Sequence, residues 1–184
     1  DDRTMAPYRN DHRVEIHGTG YSKIIFGADT AGKWEKHLDL MVESIAANGG
    51  RACVNASAVW TPSHADAIAE GIARKFVTMK PRPLDDPNCE ISAFAKPEVA
   101  EAINNMIDEA LKTPGARDVT QEMRGTPRLV KDGRIAYLLP TVVRCESPEH
   151  PLANKEFLFP FASVIECPQD DILHRIGYTL AASV

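Results

Sequence analysis

Cysteine is scarce in this sequence. Cys53, Cys89, Cys145 and Cys167 are the four in 184 residues, with no CxxC pair and no Cys/His pair at metal-ligand spacing. This argues against a structural zinc site, and no metal is expected. So low a content in a chain of this size points to reduced thiols in a cytoplasmic protein rather than a disulfide scaffold. Basic charge is not in excess: Lys+Arg 21 against Asp+Glu 26 gives a formal net charge of −5. With no basic segment, neither nucleic acid nor an anionic membrane is expected as a partner. Apolar runs are short, none approaches the length that spans a bilayer, and no signal peptide opens the sequence.

What is present is the make-up of an ordinary globular protein, 43% apolar and 26% charged. A single domain, or at most two small ones, is expected, burying roughly 70% of the surface of the unfolded chain. The start at Asp1-Asp2-Arg3 and the stop inside the apolar run Tyr178 to Val184 give both ends a cut look, since termini are usually polar and solvated. The expectation is a piece of a longer polypeptide.

Short apolar runs alternate with stretches at helical period. Lys23-Ile24-Ile25-Phe26 reads as a strand. Trp34, Leu38, Met41, Val42 and Ile45 then share one helical face, which Gly49-Gly50 terminates. Ser63 and Asp66 resemble a capping box for a helix carrying Ile68, Ile72 and Phe76. Pro81, Pro83 and Pro87 forbid regular structure in the linker that follows. Pro97 suits the first turn of a third helix, with Val99, Ile103, Met106, Ile107 and Leu111 on its apolar side and Pro114-Gly115 at its end. Ile135 to Leu139, Thr141 to Cys145 and Phe161 to Cys167 read as strands, and a short helix near Asp170 to Ile176 precedes a last strand. The pattern predicts an α/β fold with a mostly parallel sheet and flanking helices. No internal repeat is present.

Three segments carry candidate chemistry. Cys53 lies just beyond the glycine pair in Asn48-Gly49-Gly50-Arg51-Ala52-Cys53. Small neighbours leave room for a substrate, and Arg51 offers a charge that favours thiolate. Against this stands an inert buried cysteine among Ala and Val, which composition alone favours. In Val14-Glu15-Ile16-His17-Gly18-Thr19-Gly20, either Glu15 or His17 suits a general base. The plainer alternatives are a solvated carboxylate and an imidazole bonded to its own loop. Gly18 and Gly20 give only GxG, with no strand–GxGxxG–helix unit in the chain. The sequon Asn55-Ala56-Ser57 reads as accidental. Glu156, at the head of Phe157-Leu158-Phe159-Pro160-Phe161, reads from the residues alone as a charge at the solvent end of a buried strand.

Taken in order, these segments resemble the aldehyde dehydrogenase superfamily. Val14-Glu15-Ile16-His17-Gly18 resembles the Leu-Glu-Leu-Gly-Gly segment of the catalytic glutamate. Ile24-Ile25-Phe26-Gly27-Ala28-Asp29 resembles the strand after it, and Asn48 to Cys53 the nucleophile segment Asn-Gln-Gly-Gln-x-Cys. Tyr137 to Val142 is similar to the family's Pro-Thr strand, and Lys155-Glu156-Phe157-Leu158-Phe159-Pro160 to Glu-Glu-Ile-Phe-Gly-Pro. Gly177 to Val184 is similar to the closing Tyr-Gly-Leu-Ala-Ala-Ser-Val. Departures mark a divergent branch: His17 in place of Gly or Ser, Arg51 in place of Gln or Glu, Phe159 in place of Gly, and extra residues between Glu15 and Cys53.

The resemblance implies that residues 1–184 form a single partial catalytic domain, with the nucleotide-binding domain upstream. It implies an NAD(P)-dependent enzyme that oxidises a small-molecule aldehyde to a carboxylic acid through a cysteine thioester. Cys53 is then the nucleophile, Glu15 the base that activates water, and Glu156 the anchor of the ribose of NAD or NADP, which the missing domain mainly binds. A homo-oligomeric parent enzyme is expected. Two alternatives remain: an acyl-CoA reductase or CoA-acylating aldehyde dehydrogenase, and a non-catalytic α/β interaction domain.

Overall fold

The computed structural model describes residues 5–15, 19–83 and 85–184. In chain order the strands are β1 (Ser22–Ile25), β2 (Ala56–Thr61), β3 (Ala116–Asp118), β4 (Leu129–Asp132), β5 (Ile135–Leu138), β6 (Thr141–Cys145), β7 (Phe161–Glu166) and β8 (Ala182–Ser183). The α-helices are α1 (Leu38–Ala46), α2 (Ala65–Phe76), α3 (Pro97–Leu111), α4 (Val119–Arg124) and α5 (Gln169–Arg175). The main sheet runs β3-β6-β7-β2-β1-β8. All its pairings are parallel except β3 with β6, so the expected α/β architecture with a mostly parallel sheet holds.

The sheet divides the core by alternation. Ile24, Val59, Val142 and Val164 face one side, where Met41 and Ile45 of α1 and Ile68, Ile72 and Phe76 of α2 cover them. Ile25, Ala58, Trp60, Val143 and Ile165 face the other, against Ile103 and Ile107 of α3 and Ile172 of α5. On the first side Gly71 of α2 lets Trp34 lie against the helix, because a Cβ there would stand 2.5 Å from the indole ring.

Two local readings are corrected. The apolar run from Trp34 is not one helix; Ala31–His37 is 3-10, with a kink at Lys33, before α1 begins. Ser63 does not cap α2: His64 holds the N-cap position with no side-chain bond, and the amide of Ala65 is instead met by the Glu166 carboxylate at 3.2 Å. Ile135–Leu138 is a strand as expected, and it pairs antiparallel with β4 in a separate two-stranded sheet. Strand β2, at the centre of the main sheet and buried along its whole length, was not foreseen at all. Its Ala56-Ser57-Ala58 half is poor in β-formers, and burial on both faces removes the alternation by which a strand is normally recognised.

Candidate active site

Parallel pairing brings two of the candidate residues to one edge. β7, β2 and β1 are neighbours running the same way. Glu156 and Cys53 precede β7 and β2, and both reach the segment that leads into β1, through the Tyr21 amide and the Ser22 hydroxyl. Glu15 is exposed, while Ile16, His17 and Gly18 lie outside the described residues.

The Cys53 loop is fixed by its backbone. Past α1 the chain enters the left-handed region at Asn48 (φ 54°), Gly49 (φ 65°) and Gly50 (φ 70°). Close packing makes the glycines necessary as well. A Cβ on Gly49 would reach 2.1 Å from Ser92 Oγ, and one on Gly50 would reach 2.4 Å from the Phe159–Pro160 peptide. Buried Asn55 then closes the turn: its Oδ1 accepts the Ala52 amide at 2.8 Å, and its Nδ2 donates to the carbonyls of Ser44 and Ala47, each at 3.1 Å. Asn55 is therefore a structural clamp. Between these fixtures the Cys53 residue is half-buried.

Arg51 does not serve the thiol. Its guanidinium donates to the carbonyls of Leu158 (3.2 Å), Ser92 (3.3 Å) and Ala93 (2.9 Å) and stacks 4.6 Å over the Phe94 ring. Its role is to tie the cysteine loop to two neighbouring loops. Adjacency in sequence suggested a contact with Cys53, but its hydrogen bonds run elsewhere.

The stretch Gly20 to Lys23 joins the other elements. Ser22 Oγ donates to the carbonyl of Cys53 at 2.9 Å, and a Cβ on Gly20 would fall 1.7 Å from that oxygen. Tyr21, at a positive φ of 47°, donates its amide to the Glu156 carboxylate. Lys23 is 2% exposed. Its ammonium donates to the carbonyls of Tyr21 (2.7 Å) and Tyr178 (3.0 Å) and to Thr179 Oγ1 (3.0 Å). Burial pulls this amine down from 10.5 to about 8, with the Glu156 charge opposing. Thus the lead-in to β1 touches both the Cys53 loop and Glu156. Tyr21, Ser22, Lys23 and Asn55 escaped the sequence reading, although a lysine heading an apolar strand run was a visible signal.

The remaining thiols differ in setting. Cys145 and Cys167 are fully buried, and burial pushes the Cys145 thiol up to about 12. Cys89 is exposed in the proline-rich loop, its sulfur 3.2 Å from the Pro83 carbonyl. Among the described residues no cluster of His, Cys, Asp and Glu has the make-up of a metal site, and no helix is long and apolar enough to cross a membrane.

A mostly parallel α/β sheet with a half-buried cysteine and the Glu156 carboxylate at its amino edge defines the class. The aldehyde dehydrogenase family model matches residues 7–179, and the chain belongs to that family. No curated protein matches it in sequence. Among solved structures, it is similar to gamma-glutamyl-gamma-aminobutyraldehyde dehydrogenase from Burkholderia cenocepacia J2315, with a TM-score of 0.75 at 20% identity, over 97% of this chain and 35% of that one. An NAD+ complex of aldehyde dehydrogenase from Bacillus cereus aligns with a TM-score of 0.69 at 18% identity, over 88% of this chain and 31% of that one. Succinic semialdehyde dehydrogenase from Streptococcus pyogenes, in complex with NADP+, gives 0.68 at 19% identity, over 86% and 33%. The chain thus spans about a third of the length of the structures it matches.

Proposed function

We propose that this chain is part of an NAD(P)-dependent aldehyde dehydrogenase that oxidises an aldehyde to a carboxylic acid, with Cys53 as nucleophile, Glu15 as general base and Glu156 as ribose anchor. What chiefly supports this reading is the contact of the Gly20–Ser22 segment with both the Cys53 carbonyl and the Glu156 carboxylate. Family membership and the NAD+ and NADP+ complexes of similar structures make a nicotinamide coenzyme reasonable.

The fit of the residues to that coenzyme is partial. The Glu156 carboxylate accepts one backbone amide, and a carboxylate has acceptor capacity for further donors such as ribose hydroxyls. Among the described residues the pyrophosphate has no comparable place. Gly27 to Lys33 has the spacing of a phosphate loop without its Ser/Thr, but four of its amides are already spent: Ala28 on Gln169, Thr30 and Ala31 on the Gly27 carbonyl, Lys33 on that of Thr30. The 184 residues alone are therefore expected to lack dehydrogenase activity and micromolar NAD affinity.

In the mechanism, the Cys53 thiolate, its proton already lost to solvent, forms a bond from Sγ to the aldehyde carbon as the C=O π pair moves to oxygen, and backbone N–H donors, its own included, hold the developing oxyanion. A bound nicotinamide ring supplies the acceptor for the hydride lost from that carbon. This leaves a thioester on Cys53. Glu15 takes a proton from water, whose oxygen attacks the acyl carbon; the C–S bond breaks and the carboxylic acid leaves. The presence of Glu15 favours water over coenzyme A as the acyl acceptor.

The experiment is a coenzyme-dependent screen of aldehydes on the whole polypeptide that carries this chain, with and without coenzyme A. Reduced coenzyme without any requirement for coenzyme A, together with an acyl adduct mapped to Cys53, is the expected result. A strict requirement for coenzyme A would replace hydrolysis by acyl transfer. No turnover, with a Cys53 alkylation rate like that of an ordinary cysteine, would favour a non-catalytic domain.

A further inference from the structure

We propose that Lys23 is a positioning residue, a clasp that locks the closing segment 177–183 onto β1 and holds the Tyr21 turn on which the Glu156 carboxylate rests. For its bearing on coenzyme this inference depends on the role proposed above for Glu156; the clasp itself does not.

The first observation is the completeness of the lysine's bonding. An ammonium has three N–H donors and no acceptor. Those of Lys23 meet Tyr21 O, Tyr178 O and Thr179 Oγ1, all at ordinary hydrogen-bond distance. Two of the acceptors belong to the closing segment and one to the turn before β1, so a single cation bridges the two stretches.

The second observation is what those stretches hold. Tyr21 has a positive φ, a conformation that a bulky residue adopts only when its surroundings impose it. Its carbonyl is fixed by Lys23 and its amide by Glu156. Release of the carbonyl lets the Tyr21 backbone relax from its positive φ, and that rotation moves the preceding peptide, whose N–H is the donor to Glu156. On the other side, the closing segment is stitched to the same turn. Leu180 N–H donates to Gly20 O at 2.9 Å, Lys23 N–H to Ala181 O at 3.0 Å, and Ala181 N–H to Ser22 Oγ at 3.3 Å. β8 has only the short pairing Lys23–Ala182 and Ile24–Ser183. A two-residue strand at a sheet edge is weak on its own, and the buried cation supplies what the ladder lacks.

The arrangement separates two effects. Lys23 bonds directly to neither the Cys53 loop nor Glu15, so its loss falls on Glu156 and on the closing segment. Coenzyme binding weakens while the thiol chemistry of bound substrate proceeds.

The test uses Lys23→Met, which keeps an unbranched side chain one atom shorter and removes the donors, and Thr179→Val, which removes one acceptor, both in the whole polypeptide. Amide hydrogen exchange is measured without coenzyme or substrate. Leu180 and Ala181 are expected to exchange about tenfold faster in Lys23→Met, and less so in Thr179→Val, with Val59 and Val143 of the central sheet unchanged. In turnover, Lys23→Met is expected to raise the KM for coenzyme about tenfold or more with kcat altered little. Unchanged exchange at Leu180 and Ala181 overturns the clasp; a fall in kcat at constant KM overturns the route through Glu156. Should Lys23→Met fail to fold, Thr179→Val decides by the same two measurements. If the wild-type polypeptide turns over no aldehyde, the proposed function fails, and the exchange data still decide the clasp.

Discussion

Ser22 donates its hydroxyl to the carbonyl oxygen of Cys53 at 2.9 Å, which joins the lead-in of β1 to the loop before β2. Adjacent parallel strands bring their amino ends to one edge, so residues more than 30 positions apart in the chain come within hydrogen-bond reach there. Gly20 completes the junction by letting its backbone lie against the same carbonyl.

Gly20→Ala is therefore expected to displace the Cys53 loop. The new methyl would stand 1.7 Å from a backbone oxygen, and no flexible side chain is there to give way. The loss of stability should be about 1–3 kcal/mol. Urea unfolding measures it, and an unchanged midpoint would show that the contact is looser than described.

The four thiols should separate in limited alkylation near neutral pH. Cys145, pushed up to about 12, and Cys167, likewise buried, should remain intact. Cys53 should be modified ahead of Cys89, because it follows the left-handed Gly49-Gly50 turn with no acidic residue near it in the chain, whereas Asp85, Asp86 and Glu90 flank Cys89. Peptide mass mapping reads the order, and Cys89 modified first with Cys53 intact would remove the nucleophile assignment.

The α/β class and most helices were legible because Met41, Ile45, Ile68, Ile72, Ile103 and Ile107 repeat at helical spacing and are buried where that spacing puts them. β2 was not legible, since a central strand buried on both faces shows no alternation and Ala56 to Ala58 have little strand preference. At the site, Cys53, Glu15 and Glu156 stood out through motif resemblance. Asn55, Ser22 and Lys23 did not, because each acts on backbone atoms of distant segments, and such partners leave no trace in local sequence. Arg51 misled for the same reason: its position in the chain says nothing about where a long side chain ends.

Arg128 has a wholly buried side chain, with Nη2 on Asp118 at 2.6 Å and Nη1 on Asp108 at 2.6 Å. Asp118 is itself 6% exposed and also caps α4 by accepting the Gln121 amide. Arg128→Met should cost about 3–5 kcal/mol, because it strands the Asp118 charge. Adding Asp118→Asn should recover part of this, since the amide oxygen still caps the helix while the charge is gone. Denaturant unfolding of the single and double variants checks the order.

Lys23 should give stability a pH dependence of defined sign. Its amine sits at about 8 in the folded chain against 10.5 ordinarily, so between those values the unfolded chain binds more protons. Stability then rises with pH across that window, and the cost of burying the charge is fully present below it. Lys23→Met should remove this rise. Equal slopes for the two proteins between pH 8 and 10.5 would mean that the amine is hydrated in the folded state.

Glu15→Gln tests the order of chemical steps. In the proposed mechanism, attack by Cys53 and loss of hydride precede the opening of the thioester, and only the last step requires a base to activate water. Glutamine keeps the size of the side chain and can still hydrogen-bond, but it takes no proton. In the whole polypeptide, mixing with aldehyde and coenzyme should give a burst of reduced coenzyme close to one equivalent of enzyme. Steady turnover should be slower by roughly 100-fold or more. Acid quenching during the slow phase should trap the acyl group on Cys53, visible by peptide mass. Coenzyme A added at that point discriminates further, because release of the acyl group as its thioester would show that the intermediate is competent and lacks only an activated acceptor. Disappearance of the burst along with the steady rate would move Glu15 from deacylation to thiol activation or to folding.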